Sequence, residues 1–587
     1  AEGSLALFVS SHCAVMSCDH LSELCKTKFK DSDTASKLQI HRTKCSAVIK
    51  NVLRPHFVEN MRQDIGDSMY SILIDESTDI SVTKFLGITI IYYSDSSNAI
   101  ISTFLKLAEL AQCDAQSIVA AIKDTLKQFG LDLNKLQGVG TDNANVMVGI
   151  NNGVYKILKS ELPHLILVKC VCHSIQIATS SACEMLPRNI EFLVREIYNW
   201  FSHSSARQQL YRDIYQTLND GAEPLKIPRA CDTRWLSIEP AVTRIIDQWL
   251  ELKTHFQITR QKEKCYTSEM LYAMLSDECN MAYLIFLKSI LSDVQRVNKN
   301  FESNTADPCK LLNDLVVLIQ SLMKKIVVPT YPVERKYMSL DFEKHLDPKP
   351  YLGYEFEKKV ENLRKSQFQL EQENVLRQRC IQFVSQLIMQ LLQRLPDNID
   401  ILRKISLLSV SNALRAVKES LIPLLESCEL DAGTITKISH QWQNLSLVQW
   451  SQTTDTVSFW CEVKKYCDAS NINPFEELAT FALSRLVLPW SHAEVERIFS
   501  ELNIVKTKAR NRMRPEMINS LLSIRAGLRR RKQCCYNYEL PKEVLQQIGT
   551  TKIYQATAST STSTSSLVPS VEEDIDDPGL FESSLDY

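Results

Sequence analysis

The sequence predicts a mixed α/β part followed by a long all-α part. The hydrophobic period changes along the chain: residues 70–172 hold short apolar runs with strand spacing, whereas residues 236–475 follow a helical period almost throughout. Glycine is scarce, with 14 residues in 587, and this favours helices over a β-sandwich. A chain of this length is expected to form about three or four structural units.

The α/β part is predicted to contain five strands and two helices. In chain order these are strand "YSILID" (70–75), strand "FLGITIIYY" (85–93), strand "ISTFLKLAEL" (101–110), helix 114–129, strand "LQGVGTD" (136–142), helix 144–161 and strand "LILVKCVC" (165–172). This is the order of the ribonuclease-H-like fold, a mixed sheet with helices on both faces. In that fold the first and fourth strands are neighbours, so Asp75 and Asp142 are predicted to converge although 67 residues separate them.

Helices are predicted on both sides of this part. Residues 1–68 carry short helical segments, and residues 476–503 carry an apolar helical pair. Within 236–475 the longest helical segment is predicted to end at Pro396. After about residue 536 the chain becomes rich in serine and threonine and then acidic, a composition typical of disorder.

Composition argues against a membrane protein and a secreted disulfide scaffold, and the distribution of charge indicates contacts with phosphates. No apolar run reaches the roughly 18–20 residues that cross a bilayer, so no membrane association is expected. The 18 cysteines are scattered through apolar segments, which is typical of reduced thiols in an intracellular protein. Cys13, Cys18 and His20 include zinc-ligand types, but their spacing fits no standard zinc module and we interpret it as chance. The whole chain has a net charge of −2, yet residues 497–532 carry +9, which suits contacts with phosphates.

Two aspartates at neighbouring strand ends and a third carboxylate on a nearby helix are predicted to form a metal site. Such a set holds two Mg²⁺ ions in enzymes that transfer phosphoryl groups, and Mg²⁺ prefers carboxylate and water ligands. The segment "SHAEVERIFSELN" offers the third carboxylate, and spacing alone does not choose among its three glutamates, Glu494, Glu496 and Glu501. Each acidic residue taken singly is also typical of a solvated surface.

Five motifs occur in a fixed order: "ILIDESTD", "GVGTDNANVM", "VKCVCHSI", "DTRWLS" and "AEVERIFSELNIVKTKARNRM". Together they resemble the hAT-superfamily DNA transposases and their domesticated descendants over about residues 10–530, in particular the Buster-type branch, where "DESTD" is the first motif. The resemblance implies a DDE triad of Asp75, Asp142 and Glu496, with Mg²⁺ or Mn²⁺ as cofactor. It selects Glu496 because this residue has the glutamate position of the family's "ERxFS" motif.

The resemblance also implies roles for residues outside the triad. His173 and Cys170 match the family's CxxH motif, which implies that His173 lies near the scissile phosphate and that Cys170 supports the site, although burial alone also accounts for Cys170. Arg234 and Trp235 match the RW motif, which implies phosphate binding and shelter for a flipped base beside the break, although a core aromatic is the simpler interpretation of Trp235. The basic segment supplies four more candidate DNA-binding residues: Lys506, Lys508, Arg510 and Arg512.

The basic segment continues into the family's C-terminal dimerisation region. Met517, Leu521, Ile524 and Leu528 form a helical stripe suited to a partner subunit or to the catalytic core. The predicted domains are a helical DNA-binding or dimerisation region (1–68), the first part of the ribonuclease-H-like core (69–235), an all-helical insertion domain (236–475), the end of the core with the dimerisation region (476–532) and a largely disordered tail (533–587).

Two functions are therefore predicted. The first is a nuclear cut-and-paste transposase that cleaves transposon ends, leaves a hairpin on the flanking DNA and joins the ends to target DNA as a homodimer or larger homo-oligomer. Its partner is double-stranded DNA, both the terminal inverted repeats and the target. The second is a domesticated nuclear protein that binds DNA and dimerises without transposing, and a scaffold built on the helical insertion is a third, weaker reading. The family's N-terminal BED zinc finger has no counterpart among the Cys and His spacings here, so recognition of transposon ends is an open expectation.

Overall fold

The computed structural model describes residues 1–149, 151–229, 238–303, 305–365 and 369–554. The chain forms two compact units: unit 1 comprises Ala1–Cys170 with the chain from Leu407 onward, and unit 2 comprises Val171–Ser406. These divisions differ from the predicted boundaries near residues 235 and 475. The first helix of unit 2 packs on other helices of that unit, while helices after residue 450 pack on the sheet of unit 1, so contacts and hydrophobic period divide the chain at different places.

Unit 1 contains the sheet, and its five strands lie where the sequence predicts them: β1 Tyr70–Thr78, β2 Lys84–Ser94, β3 Ala99–Glu109, β4 Leu136–Thr141 and β5 Ile166–Lys169. The strand order is β3-β2-β1-β4-β5. The β1–β2 and β2–β3 pairs are antiparallel, and the β1–β4 and β4–β5 pairs are parallel. The mixed five-stranded sheet and the contact between the first and fourth strands are thus confirmed.

Helices in unit 1 precede, interrupt and follow the strands. The first eight are α1 Glu2–His12, α2 Ser17–Lys28, α3 Asp33–Ser36, α4 Arg42–Val48, α5 Arg54–Ile65, α6 Ala115–Gln128, α7 Asn145–Val148 and α8 Val154–Glu161, with a π-helical turn at Ile49–Leu53. The predicted helix over 144–161 is therefore two helices. The predicted strand over 165–172 is shorter, because the chain turns into a helix at Val171 and an apolar run this short does not distinguish strand from helix.

Unit 2 is helical. Its helices are α9 Val171–Cys183, α10 Arg188–Ser202, α11 Ser205–Leu218, α12 Glu239–Asp247, α13 Trp249–Glu263, α14 Tyr266–Ser276, α15 Glu278–Glu302, α16 Leu311–Ile326, α17 Val333–Lys336, α18 Tyr354–Lys365, α19 Leu370–Arg394 and α20 Pro396–Ser406. The long helix α19 ends just before Pro396, as predicted, and the proline is the first residue of α20, a position where its missing N–H is tolerated.

The chain then returns to unit 1 with α21 Val410–Ala413, α22 Ile422–Glu426, α23 Ala432–Asn444, α24 Thr456–Lys465, α25 Glu476–Leu486, α26 Ala493–Val505, α27 Pro515–Arg530 and α28 Lys542–Gln547. The helix α28 and the buried side chains of Tyr538, Val544 and Ile553 extend the ordered structure into the start of the predicted tail. Within the described residues no helix is long and apolar enough to span a membrane.

Both faces of the sheet are covered. Alternate residues of β1 and β2, including Ile72 and Ile88, pack with α5, α6 and α8 in one core. Phe85 on β2 and Leu107 on β3 pack on the other face with α26, α27 and the N-terminal helices. The elements that follow the helical unit in sequence thereby complete the core of the sheet.

The stripe on α27 is part of this second core. Met517, Leu521, Ile524 and Leu528 are all buried against their own chain, so the alternative of a contact with the core is the observed one. Asn519 fixes the helix to the edge strand: it accepts a hydrogen bond from Leu107 N (2.9 Å) and donates one to Leu107 O (3.0 Å). This contact also covers backbone groups that an exposed sheet edge would otherwise offer to another chain.

Candidate active site

The candidate site lies where the pairing between β1 and β4 ends. In the parallel register Leu73 is paired with Gly140, so two residues further along Asp75 and Asp142 lie side by side. Residues alternate between faces along a strand, and Ile72 and Ile74 belong to the α6 and α8 core. Asp75 therefore faces the opposite side of the sheet, which α26 covers.

Glycines let the third element approach these aspartates. Gly87 on β2 is the cross-strand partner of Asp75, and a Cβ atom there would lie 2.7 Å from Phe499 Cζ and 2.9 Å from Val495 Cγ2 on α26. At Gly140 a Cβ atom would lie 2.8 Å from Pro489 Cγ. Any larger side chain at these two positions would push the segment that carries Glu496 away from the sheet.

The charge of Glu496 acts on Asp75. The pKa of Asp75 is raised to about 7, first by burial, then by the negative charge of Asp142 and, more weakly, by the charges of Glu496 and Glu76. One backbone hydrogen bond from Glu76 N lowers it. The charges of Asp142 and Glu496 thus both act on Asp75. The three carboxylates come from β1, from the loop after β4 and from α26, and the last two are 354 residues apart in sequence.

Glu494 and Glu501, the two other glutamates that spacing allowed, have cationic partners instead. Glu494 is buried, 2.7 Å from Arg497 and 3.7 Å from Arg529. Glu501 accepts a hydrogen bond from Arg529. Among the three, Glu496 is the one whose charge raises the pKa of Asp75, and its place in the triad stays a prediction.

The three carboxylates are spread rather than tightly clustered. Their oxygens do not all lie within 4.8 Å of one another, since the described residues form a group that close only elsewhere. Two ions about 3.5–4 Å apart need a wider set of ligands than one ion does. Oxygen donors with a shared negative charge are the type that Mg²⁺ binds.

The basic segment begins directly after α26, and its first lysine corrects a prediction. Lys506 is buried, and its ammonium lies 2.5 Å from the carboxylate of Asp79 and 2.7 Å from Ser81 Oγ. Burial works to raise the pKa of Asp79, but hydrogen bonds from Lys506, Thr83 and Ser81 outweigh it and hold that pKa below its usual value. Because its charge is enclosed in this ion pair, we remove Lys506 from the candidate DNA-binding residues.

The next three cations of the basic segment are not enclosed in ion pairs as Lys506 is. Lys508 and Arg512 are exposed, Arg510 is half-buried, and within the described structure none of the three is paired with a carboxylate. Lys506 directly follows α26 and is ten residues after Glu496, so this basic loop begins about 15 Å from Glu496 along the helix. In contrast, Arg529 pairs with Glu494 and Glu501.

The other predicted site residues fall in three places. Cys170 is buried at the end of β5, and its N–H donates to Thr141 O, next to Asp142. His173 is in the first turn of α9 in unit 2, and its catalytic role stays a prediction. Arg234 and Trp235 lie outside the described residues, so their roles also stay predictions.

Sequence reasoning missed Gly87, Gly140 and the Asp79–Lys506 pair. A glycine inside a strand pattern is a recognised sign of close backbone approach, so "FLGIT" and "GVGT" carried a usable signal. The ion pair had no such signal, because it joins residues 427 positions apart.

Two family models match the chain. Residues 20–153 match the ZMYM1/FAM200, RNase-like domain, and residues 440–528 match the hAT family C-terminal dimerisation region. Asp75 and Asp142 lie in the first matched region and Glu496 in the second. The dimerisation region supports homodimerisation of this chain.

Proposed function

Since the two matched regions are consistent with a hAT-family transposase or a domesticated relative, we propose that the protein is a cut-and-paste DNA transposase with a DDE site on a ribonuclease-H-like core. The proposal rests on one observation: Asp142 and Glu496, which come from two other elements, both raise the pKa of Asp75. In this proposal the helices of unit 2 are the insertion between the second and third members of the triad.

Asp75, Asp142 and Glu496 would hold Mg²⁺, with Mn²⁺ as a substitute. Their fit to a cation rests on the raised pKa of Asp75, because carboxylates whose negative charges act on one another favour a positive charge between them. Bound metal supplies activation of an attacking oxygen and stabilisation of the leaving oxygen in an in-line phosphoryl transfer.

The chain's own residues bind and orient the DNA. Lys508, Arg510 and Arg512 contact phosphates near the acidic site. Their positive charge offsets the repulsion between the DNA polyanion and the three carboxylates. Arg234, Trp235 and His173 contribute phosphate binding, base shelter and contact near the scissile phosphate. The substrates are terminal inverted repeats and target DNA, the products include a hairpin on the flank, and the protein acts as a homodimer or larger homo-oligomer in the nucleus.

The test is DNA cleavage by the purified full chain. Supercoiled plasmid and a labelled transposon-end duplex are incubated with protein in Mg²⁺ and in Mn²⁺, and nicked, hairpin and joined products are resolved. We expect products from the wild type and a loss of at least about 1,000-fold in Asp75→Asn and Glu496→Gln.

Glu501→Gln is the matched control, because it removes a carboxylate from the same helix that is paired with Arg529 rather than with the aspartates. It is expected to cleave like the wild type. Salt-sensitive DNA binding with no product in either metal would contradict the proposal and favour the domesticated DNA-binding protein. Cleavage that survives Glu496→Gln would remove Glu496 from the triad.

A further inference from the structure

A group of cysteine and histidine side chains lies far from the acidic site, where the end of α1 meets the chain that follows α27. His12 is the last residue of α1, and Cys534 and Cys535 come four and five residues after the end of α27. These three side chains form the group of potential metal ligands whose donor atoms all lie within 4.8 Å of one another in the described part of the chain. His12 and Cys534 are 522 residues apart in sequence.

The spacing of the donor atoms is that of a tetrahedral zinc site. His12 Nε2 lies 3.7 Å from Cys534 Sγ, and the two sulfur atoms lie 3.8 Å apart. With Zn–S bonds of about 2.3 Å and Zn–N bonds of about 2.0–2.1 Å, tetrahedral angles give edges of about 3.8 Å between two sulfurs and about 3.6 Å between nitrogen and sulfur. Both measured distances match these edges to about 0.1 Å, whereas a disulfide would require the sulfurs at about 2.05 Å.

Cys13 is the cysteine from which a fourth ligand would come, and its thiol lies outside the group whose donor atoms are all within 4.8 Å of one another. It follows His12 directly and is half-buried against the same core as Cys534. Cys18 belongs elsewhere, since its thiol lies 4.0 Å from Ile40 O.

Local structure orients the ligands. The His12 ring packs on Phe8 one turn earlier on α1, with ring centroids 5.5 Å apart. Cys534 N donates to Asn537 Oδ1 (2.7 Å), which holds the two cysteines in a turn. The two segments already meet, because Arg525 Nε on α27 donates to Ser10 O on α1 (3.0 Å).

We propose that His12, Cys13, Cys534 and Cys535 bind one structural Zn²⁺ ion that joins the N-terminal helix to the segment after α27. Three thiolates and one imidazole form a closed ligand set of the structural type, with no position left for a substrate. Soft thiolate ligands favour zinc over Mg²⁺ or Ca²⁺. The site closes a loop of more than 500 residues, and its metal affinity contributes to folding stability.

The experiment measures zinc in the purified full chain by inductively coupled plasma mass spectrometry, together with the absorption of the Co²⁺-substituted protein. We expect about one Zn²⁺ per chain and the ligand-field spectrum of tetrahedral, thiolate-bound Co²⁺. The double variant Cys534→Ser/Cys535→Ser is expected to retain less than about a tenth of the metal. Cys25→Ser/Cys467→Ser is the matched control, because it removes two cysteines outside the group and is expected to leave metal content unchanged.

His12→Cys separates ligation from folding. It keeps a metal-binding side chain at the same place, so the variant should still bind one Co²⁺ but shift its spectrum to that of four sulfur ligands. Wild-type protein without zinc and without the Co²⁺ spectrum would overturn the proposal. So would a disulfide between any two of the three cysteines in protein alkylated before reduction, or a His12→Cys spectrum identical to that of the wild type.

Discussion

Unit 1 and unit 2 each bury a group of acidic residues, and the two groups handle charge in opposite ways. In unit 2, Arg377 lies 2.5 Å from Glu357 and 2.8 Å from Glu373, and Arg364 lies 2.6 Å from Glu373. Hydrogen bonds from Arg364 and Arg377 outweigh burial and lower the pKa of Glu373 to about 2. In unit 1, burial and the like charges of Asp142, Glu496 and Glu76 raise the pKa of Asp75 to about 7.

The difference separates a structural group of charges from one prepared for a ligand. Arg364 and Arg377 neutralise the glutamates within the fold, so that group needs nothing from outside. Asp75 carries its charge against burial and the charges of Asp142 and Glu496, and this cost in free energy is relieved when Asp75 takes up a proton or when a metal cation binds. A perturbed carboxylate of this kind, beside like charges, is a frequent property of functional sites.

The largest effect is expected from breaking the unit 2 group. Arg377→Met leaves Glu357 without its arginine and Glu373 with only one, both in a largely buried position, so we expect a loss of about 3–5 kcal/mol in the free energy of unfolding. The measurement is urea denaturation followed by circular dichroism at pH 7. Lys365→Met is the control, since it breaks an exposed pair with Glu361 and should cost less than about 1 kcal/mol. Equal losses in the two variants would show that the buried group does not stabilise unit 2.

Lys506→Met tests the enclosed pair in unit 1. Removal of the ammonium leaves the buried carboxylate of Asp79 without a cationic partner. We therefore expect a loss of about 3 kcal/mol in the free energy of unfolding at pH 8. The folded-state pKa of Asp79 is lowered, so its pairing contributes stability above the unfolded value of about 3.9 and loses it as the pH falls further. The loss in Lys506→Met should therefore persist at pH 4 and shrink only below it, in denaturation curves taken at pH 8, 4 and 2. Lys508→Met, two residues later and exposed, should show neither the loss nor its pH dependence.

A smaller effect is expected from relief of repulsion in the acidic site. The folded-state pKa of Asp75, about 7, lies above its unfolded value of about 3.9, so this group stabilises the metal-free protein least above pH 7 and its unfavourable contribution vanishes below about pH 4. Asp142→Asn removes the like charge that acts most strongly on Asp75 and should stabilise the metal-free protein by about 1 kcal/mol at pH 8 but not at pH 4. Thermal melts with chelator measure this change.

Addition of Mg²⁺ supplies the second half of that test. It should raise the wild-type melting temperature at pH 8 and raise that of Asp142→Asn by less, because one ligand is gone. If Asp142→Asn stabilised the protein equally at pH 8 and at pH 4, the stabilisation would not come from the ionisation of Asp75, and this prediction would be wrong.

The sequence anticipated those parts of the site that follow from strand order. The neighbouring positions of Asp75 and Asp142 follow from the parallel pairing of the first and fourth strands, which the order of elements predicts. The choice among Glu494, Glu496 and Glu501 did not follow from spacing, because it depends on how Phe499 and Pro489 pack on glycines of distant strands. Lys506 was misjudged for the same reason: its type and neighbours are those of a surface cation, and only the tertiary contact with Asp79 buries it.

The smallest effects concern the basic loop, and they extend the comparison from buried charges to exposed ones. Lys508 and Arg512 have no carboxylate partner among the described residues, whereas Arg529 is engaged with Glu494 and Glu501. A cation that contacts one phosphate releases counterions on binding, so Lys508→Ala and Arg512→Ala should each reduce the slope of log K against log salt by about 1. Arg529→Ala should change the slope by much less, because its charge is already balanced within the fold.

Fluorescence anisotropy with a labelled duplex between about 50 and 200 mM salt measures all three slopes. A larger change in Arg529→Ala than in Lys508→Ala would mean that DNA displaces the internal pairs, and the binding surface would then lie along α27 rather than on the loop before it.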